Sequence, residues 1–148
     1  MAKLWKGKNS ENKVGLALGG GATLGAAHVG VLRALDESEI EIDCIAGTSI
    51  GAMVGAFYAF GVPVDKIEEI ALDLDWPDIS GLALSKMGLL SNSAMGKLID
   101  KYLGDVQFEE ADIPFAAVAT DISTGEKVVL KQGDVSDAVK ASTCIPVL

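Results

Sequence analysis

The period of the apolar positions changes several times along the chain, and each change predicts a new element. Val14 to Leu18 is a continuous run of strand length, Gly19 to Thr23 a glycine turn, and Leu24 to Ser38 a helix with Ala27, Val31, Leu32 and Leu35 on its apolar side. Glu41 to Ala46 returns as a strand, with Cys44 inside it. Strand, helix and strand make a right-handed βαβ unit, so both strands run parallel and their C-terminal ends reach one edge of the sheet. Ile50 to Phe60 is apolar or small at nearly every position, which predicts a helix buried on most sides, and Gly61-Val62-Pro63 stops it. Val64 to Leu72 follows as an amphipathic helix.

The pattern loosens from Asp73 to Asn92, where Trp76, Pro77, Leu84, Met87, Leu89 and Leu90 are scattered among glycines and serines. A stretch of this length without a period predicts a functional loop, either a lid or a lipid-facing surface, with ordinary packing as the plainer reading. Helical period resumes over Ser93 to Leu103. Phe115 to Asp121 and Lys127 to Lys131 read as two strands about the turn Ser123-Thr124-Gly125-Glu126, and Val135 to Ser142 as a last short helix. The order is α/β, with a mainly parallel sheet and an antiparallel edge pair.

Composition narrows the class. A chain of 148 residues with 49% hydrophobic content suits one domain with a sizeable core. Its formal charge of -9 argues against a nucleic-acid partner, and the lysines Lys3, Lys6, Lys8 and Lys13 read as a solvated, flexible leader over residues 1–13 ahead of a domain over 14–148. Two cysteines, Cys44 and Cys144, have neither zinc spacing nor the density of a secreted scaffold, which fits a reducing, cytoplasmic compartment. No formal charge occurs from Val14 to Leu32, as in a membrane span, but six glycines in that stretch suit a strand, a turn and a helix instead. The acidic groups Glu109-Glu110-Asp112 and Asp73-Asp75-Asp78 lack convincing metal-ligand spacing.

The candidate chemistry lies in Gly47-Thr48-Ser49-Ile50-Gly51, a Gly-x-Ser-x-Gly motif set between an apolar strand and an apolar helix. A sharp strand-to-helix turn holds the serine exposed, and Gly47 and Gly51 remove side chains that would collide there. Ser49 also sits at a helix N-terminus, where backbone N–H groups favour developing negative charge. The single histidine, His28, precedes Ser49 and falls mid-helix, which suits packing or a helix-satisfied imidazole better than a triad base. The base for Ser49 is then expected to be a carboxylate. The turn from Gly19 to Thr23 offers bared backbone N–H groups for an oxyanion hole, joined by the Ile50 N–H. Gly19, Gly21 and Gly25 also fit a lengthened dinucleotide-loop pattern, a reading that leaves the second glycine-flanked turn unexplained.

Four stretches in this order resemble the patatin-like phospholipases: Leu16 to Gly21 with Gly25 to Leu32, Gly47 to Ala52, Ala119-Thr120-Asp121 with Thr124-Gly125, and Ala141-Ser142 with Ile145-Pro146. The resemblance implies a three-layer fold with a mainly parallel central sheet flanked by helices. It also implies a serine–aspartate dyad acyl hydrolase of phospholipids or other lipid esters, with peripheral membrane contact and no metal or cofactor. Carried onto this chain, Ser49 matches the nucleophile and Gly20, Gly21 and Ala22 the oxyanion loop. Ala22 stands where the family has a third glycine and Leu24 where it has an arginine, so preference for a phosphate headgroup is weakened. The family's catalytic Asp lies in an Asp-Gly-Gly or Asp-Gly-Ala motif after the Ile-Pro segment, and neither motif occurs in these residues.

Asp121 belongs to a strand stretch in the family and is a poor substitute. The expectation is therefore an N-terminal portion of a longer hydrolase, incomplete at its C-terminus. Its apolar end, Cys144 to Leu148, would invite pairing or oligomerisation. The alternative is a catalytically inactive lipid-binding or interaction module.

Overall fold

The computed structural model describes residues 13–73 and 92–144. Residues 74–91 of the loop expected from Asp73 to Asn92, residues 1–12 of the leader expected over 1–13, and residues 145–148 lie outside them. Among the described residues, four strands, β1 (Gly15–Leu18), β2 (Cys44–Thr48), β3 (Phe115–Thr120) and β4 (Lys127–Leu130), form one sheet in the order β1-β2-β3-β4. The first three run parallel and β4 is antiparallel to β3, as the alternation of strand and helix predicts. Gly47 of β2 pairs with Leu18 on one side and Ala117 on the other.

Among the described residues, five α-helices accompany the sheet: α1 (Ala26–Glu37), α2 (Ile50–Ala59), α3 (Val64–Asp73), α4 (Asn92–Leu103) and α5 (Val135–Thr143). α2 lies across β1, β2 and β3, and α5 lies beside it on β3. Its lack of amphipathicity is explained by this position, since Ile50 to Phe57 and Ala59 are all buried. The core is built from Leu18, Ile45, Phe115 and Ala117 of the sheet, Met53 and Phe57 of α2, and Ile67, Ile99, Val135 and Val139 of the surrounding helices. Burying such side chains supplies about 1.5–3 kcal/mol each.

Polar ties outside the core also join these helices. Arg33 of α1 donates to Asp65 (2.8 Å) and Glu68 (2.7 Å) of α3. The Tyr58 hydroxyl of α2 donates to Asp36 of α1 at 2.5 Å. Burial and then the neighbouring carboxylate push the Tyr58 phenol up to about 12.

Three expectations need correction. β2 begins at Cys44 rather than Glu41 and runs on to Thr48. The ladder starts late because Asp43 caps it: its carboxylate accepts the Val14 N–H at 2.7 Å and its own N–H donates to the Val14 carbonyl at 2.8 Å. The strand continues through Gly47 despite that residue's weak strand propensity, because a glycine is the residue that fits beneath α2. The β1 and β2 strands are buried on one face only: Leu18 and Ile45 are covered, whereas Gly15, Ala17, Cys44 and Ala46 are exposed. Finally, α1 buries Val29 and Leu32, while Ala27 and Val31 face outward. Its buried stripe is set by contact with α3 and α2 rather than by the most apolar side of the isolated helix.

Candidate active site

β2 ends at Thr48 and α2 begins at Ile50, so a single residue, Ser49, makes the turn from strand to helix. It does so at φ 55° and ψ -123°, a region that residues with a Cβ rarely occupy. The two flanking glycines are required by contact rather than by dihedral. A Cβ on Gly47 would press on the Gly51 carbonyl oxygen and stand 2.6 Å from the Ala52 nitrogen. A Cβ on Gly51 would press on the Leu18 carbonyl oxygen and stand 2.5 Å from that of Gly19. All of these are backbone atoms with no freedom to swing aside.

The Ser49 carbonyl starts the helix, accepting from Ala52 (2.9 Å) and Met53 (3.2 Å). As the first helical residue, Ile50 has an N–H with no intrahelical acceptor. No acidic side chain occupies the first turn of α2, so its positive end is uncompensated beside the serine.

The glycine loop reaches the same place from β1. Gly19, Gly20 and Gly21 follow Leu18, and a 3-10 turn from Ala22 to Gly25 leads into α1. A Cβ on Gly20 would lie 3.4 Å from the Cβ of Ser49, so the loop backbone stands directly against the candidate nucleophile. Gly21 has φ 149°, and its carbonyl accepts the Leu24 N–H at 3.0 Å, which opens the 3-10 turn. Gly25 is pinned against the elbow: a Cβ there would collide with Cγ1 of Ile50 and stand 3.0 Å from Cγ2. Leu24 is 74% exposed. The structure thus brings Ser49, Gly20, Gly21, Ala22 and Ile50 to one edge of the sheet, with Gly47 and Gly51 behind them. Ser49 is half-buried rather than exposed as expected, because the glycine loop packs against it. A helix N-terminus and a glycine backbone beside that hydroxyl can stabilise negative charge formed on a carbonyl oxygen it attacks.

The other titratable candidates are engaged elsewhere. His28 sits in α1 with Nε2 at 2.8 Å from the Gly19 carbonyl oxygen, which requires the tautomer bearing the proton on Nε2 or the doubly protonated ring. It ties the start of the glycine loop rather than reaching Ser49. Asp121 accepts the N–H groups of Ser123 (2.8 Å) and Thr124 (3.2 Å), which caps the turn between β3 and β4. Glu110 of the acidic cluster accepts the Gln107 N–H at 2.7 Å in a local capping box. Among the described residues, no group of His, Cys, Asp and Glu could hold a metal ion, and no helix is long and apolar enough to cross a membrane.

One contact has no local sequence signal. The Ser142 hydroxyl, in the last turn of α5, accepts the Ser49 N–H at 2.8 Å and donates to the Val118 carbonyl of β3 at 2.6 Å. Ser142 entered the sequence reading as part of a family-like stretch, with no role attached.

Comparison with known proteins bears on this arrangement as a whole. An uncharacterized NTE family protein of Mycobacterium tuberculosis is 37% identical over 141 residues, covering 93% of this chain and 39% of the relative. Patatin-like phospholipase domain-containing protein 6 of Homo sapiens is 32% identical over 145 residues, covering 88% of this chain and 10% of the relative. The chain therefore spans two fifths or less of the length of these relatives. In fold it is similar to the type III effector protein ExoU (TM-score 0.62, 15% identity, 88% of this chain and 40% of that one). It is similar also to ExoU of Pseudomonas aeruginosa in complex with SpcU (TM-score 0.64, 17% identity, 90% of this chain and 38% of that one). The model of the patatin-like phospholipase family matches residues 16–148, from β1 through the glycine loop and the serine elbow to the end of the chain, and the chain belongs to that family.

Proposed function

We propose that this chain carries the nucleophile and oxyanion half of a lipid acyl hydrolase. Family membership supports hydrolysis of lipid esters in general. The finer reading rests on one observation above all: a serine held at φ 55° between two glycines that admit no Cβ, with the glycine loop against it. In this reading Ser49 Oγ attacks the ester carbonyl, and the carbonyl oxygen, now negative, accepts from the N–H of Ile50 and from the loop at Gly20, Gly21 and Ala22. The alcohol leaves with a proton and water releases the acyl group from Ser49. An Asp outside these 148 residues acts as the base. By analogy with a triad that lacks its base, the chain alone is slower than the complete dyad by roughly 10⁴-fold or more.

The substrate is a phospholipid or another lipid ester met at a membrane surface. The test is fatty-acid release from phosphatidylcholine vesicles and from a soluble p-nitrophenyl ester. Turnover that vanishes in Ser49→Ala supports the proposal. Turnover that survives the substitution overturns it, and lipid binding without turnover, indifferent to Ser49→Ala, assigns a binding module instead.

A further inference from the structure

The hydrogen-bonding parity of the β2–β3 ladder leads to a role for Ser142. Ile45 N–H donates to the Pro114 carbonyl at 2.8 Å, and Ile45 pairs with Phe115. In a parallel ladder the same strand donates at every second residue, so the next partners are Gly47 with Ala116 and then Ser49 with Val118. That last rung is not made directly. Ser49 has left the sheet, and the Ser142 hydroxyl stands in the gap, accepting from Ser49 N–H and donating to Val118 O.

We propose that Ser142 is a positioning residue of the site, bridging the last rung of the ladder so that Ser49 can turn off the sheet with its N–H satisfied. This rests on the reading of Ser49 as nucleophile. Two consequences follow from the geometry. The Ser49 N–H is consumed by the bridge and unavailable to an oxyanion, which leaves Ile50 and the glycine loop as donors. The orientation of the nucleophile is also set by α5, a helix 93 residues away in sequence. α5 is itself well anchored: Asp134 caps its N-terminus by accepting the Asp137 N–H at 2.6 Å, and buried Ser136 donates to the Gly96 carbonyl of α4 at 3.2 Å. A hydroxyl at Ser142 therefore reaches the elbow from a fixed base rather than from a loop.

The test compares the chain with Ser142→Ala and Ser142→Thr in two independent measurements. The first is hydrogen exchange of the Ser49 amide by NMR, with the Ala56 amide inside α2 as internal reference. The second is labelling of Ser49 by a fluorophosphonate, in which the Ser49 Oγ–P bond forms as the P–F bond breaks and the hydroxyl proton passes to water. Ser142→Ala is expected to speed Ser49 exchange about 10-fold or more relative to Ala56, because one hydrogen bond is lost. It should lower the maximal labelling rate by about 10- to 100-fold, the effect of a small misplacement, with little change in the reagent concentration for half-maximal rate. Ser142→Thr, which keeps the hydroxyl, restores both. A general loss of stability would move Ala56 along with Ser49, and that outcome overturns the proposal. So does unchanged Ser49 exchange in Ser142→Ala. If the unsubstituted chain, which lacks the proposed Asp base, is not labelled at Ser49, the exchange measurement alone decides, and unchanged Ser49 exchange overturns the proposal.

Discussion

Replacing Ser49 by glycine and by alanine separates backbone strain from the chemistry of the hydroxyl. At φ 55° and ψ -123° a residue with a Cβ stores about 1–3 kcal/mol. Glycine escapes that cost but loses about 0.4–1 kcal/mol through the greater freedom of its unfolded chain. The balance makes Ser49→Gly more stable than the unsubstituted protein by about 1 kcal/mol, which in a domain of this size raises the melting temperature by about 2–4 °C. Alanine keeps the Cβ and therefore the strain. Among the described residues the Ser49 hydroxyl makes no hydrogen bond that alanine would lose, so Ser49→Ala should stay within about 0.5 kcal/mol of the parent. Both variants keep the N–H bridged by Ser142. The assay is urea denaturation with a parallel thermal melt, and the informative quantity is the glycine-minus-alanine difference at constant m-value. If Ser49→Gly is no more stable than Ser49→Ala, the elbow is not strained in solution and the pre-organisation argument fails with it.

Two glycine substitutions should differ in sign: Gly51→Ala drives a Cβ into the carbonyl oxygens of Leu18 and Gly19 and should cost about 3 kcal/mol or prevent folding. Gly30→Ala at an exposed position of α1, where a Cβ meets nothing within 4 Å, should stabilise by about 0.5–1 kcal/mol on the same denaturation curves. His28→Ala should cost about 1 kcal/mol and slow labelling of Ser49 by loosening the glycine loop. Nitrogen-15 spectra of the parent should show a proton on Nε2, and a proton on Nδ1 alone would refute the tie to Gly19. Tyr58, with its phenol raised to about 12, contributes stability that is full below the ordinary tyrosine value near pH 10. That contribution is lost as pH rises through about 12. Tyr58→Phe should flatten the stability profile in that window, and ultraviolet titration should show the Tyr58 phenol ionising near 12 rather than near 10.

The strand-turn-helix elbow and the glycine loop were legible in the chain because each signal is short in range. Seven or so residues suffice to place Ser49 between an apolar strand and an apolar helix, and the helices and strands were found within a few residues of their ends for the same reason. The β2 boundary shows where this stops: Gly47 looks like the end of a strand by propensity, yet the close approach of α2 keeps it in the ladder.

What the sequence by itself determined was therefore the order of elements, the family, and the strand-turn-helix at Ser49 with the glycine loop before α1, all carried by residues near one another in the chain. Tertiary structure decided the rest. It placed Gly20 against Ser49, engaged His28 with the Gly19 carbonyl, and tied Asp121 into the β3–β4 turn. It also delivered the Ser142 hydroxyl to the Ser49 N–H across 93 residues. A hydrogen bond between groups so far apart leaves no periodicity or motif behind. Only the packing of α5 on β3, which sets where the last turn of that helix ends, brings the two atoms to 2.8 Å.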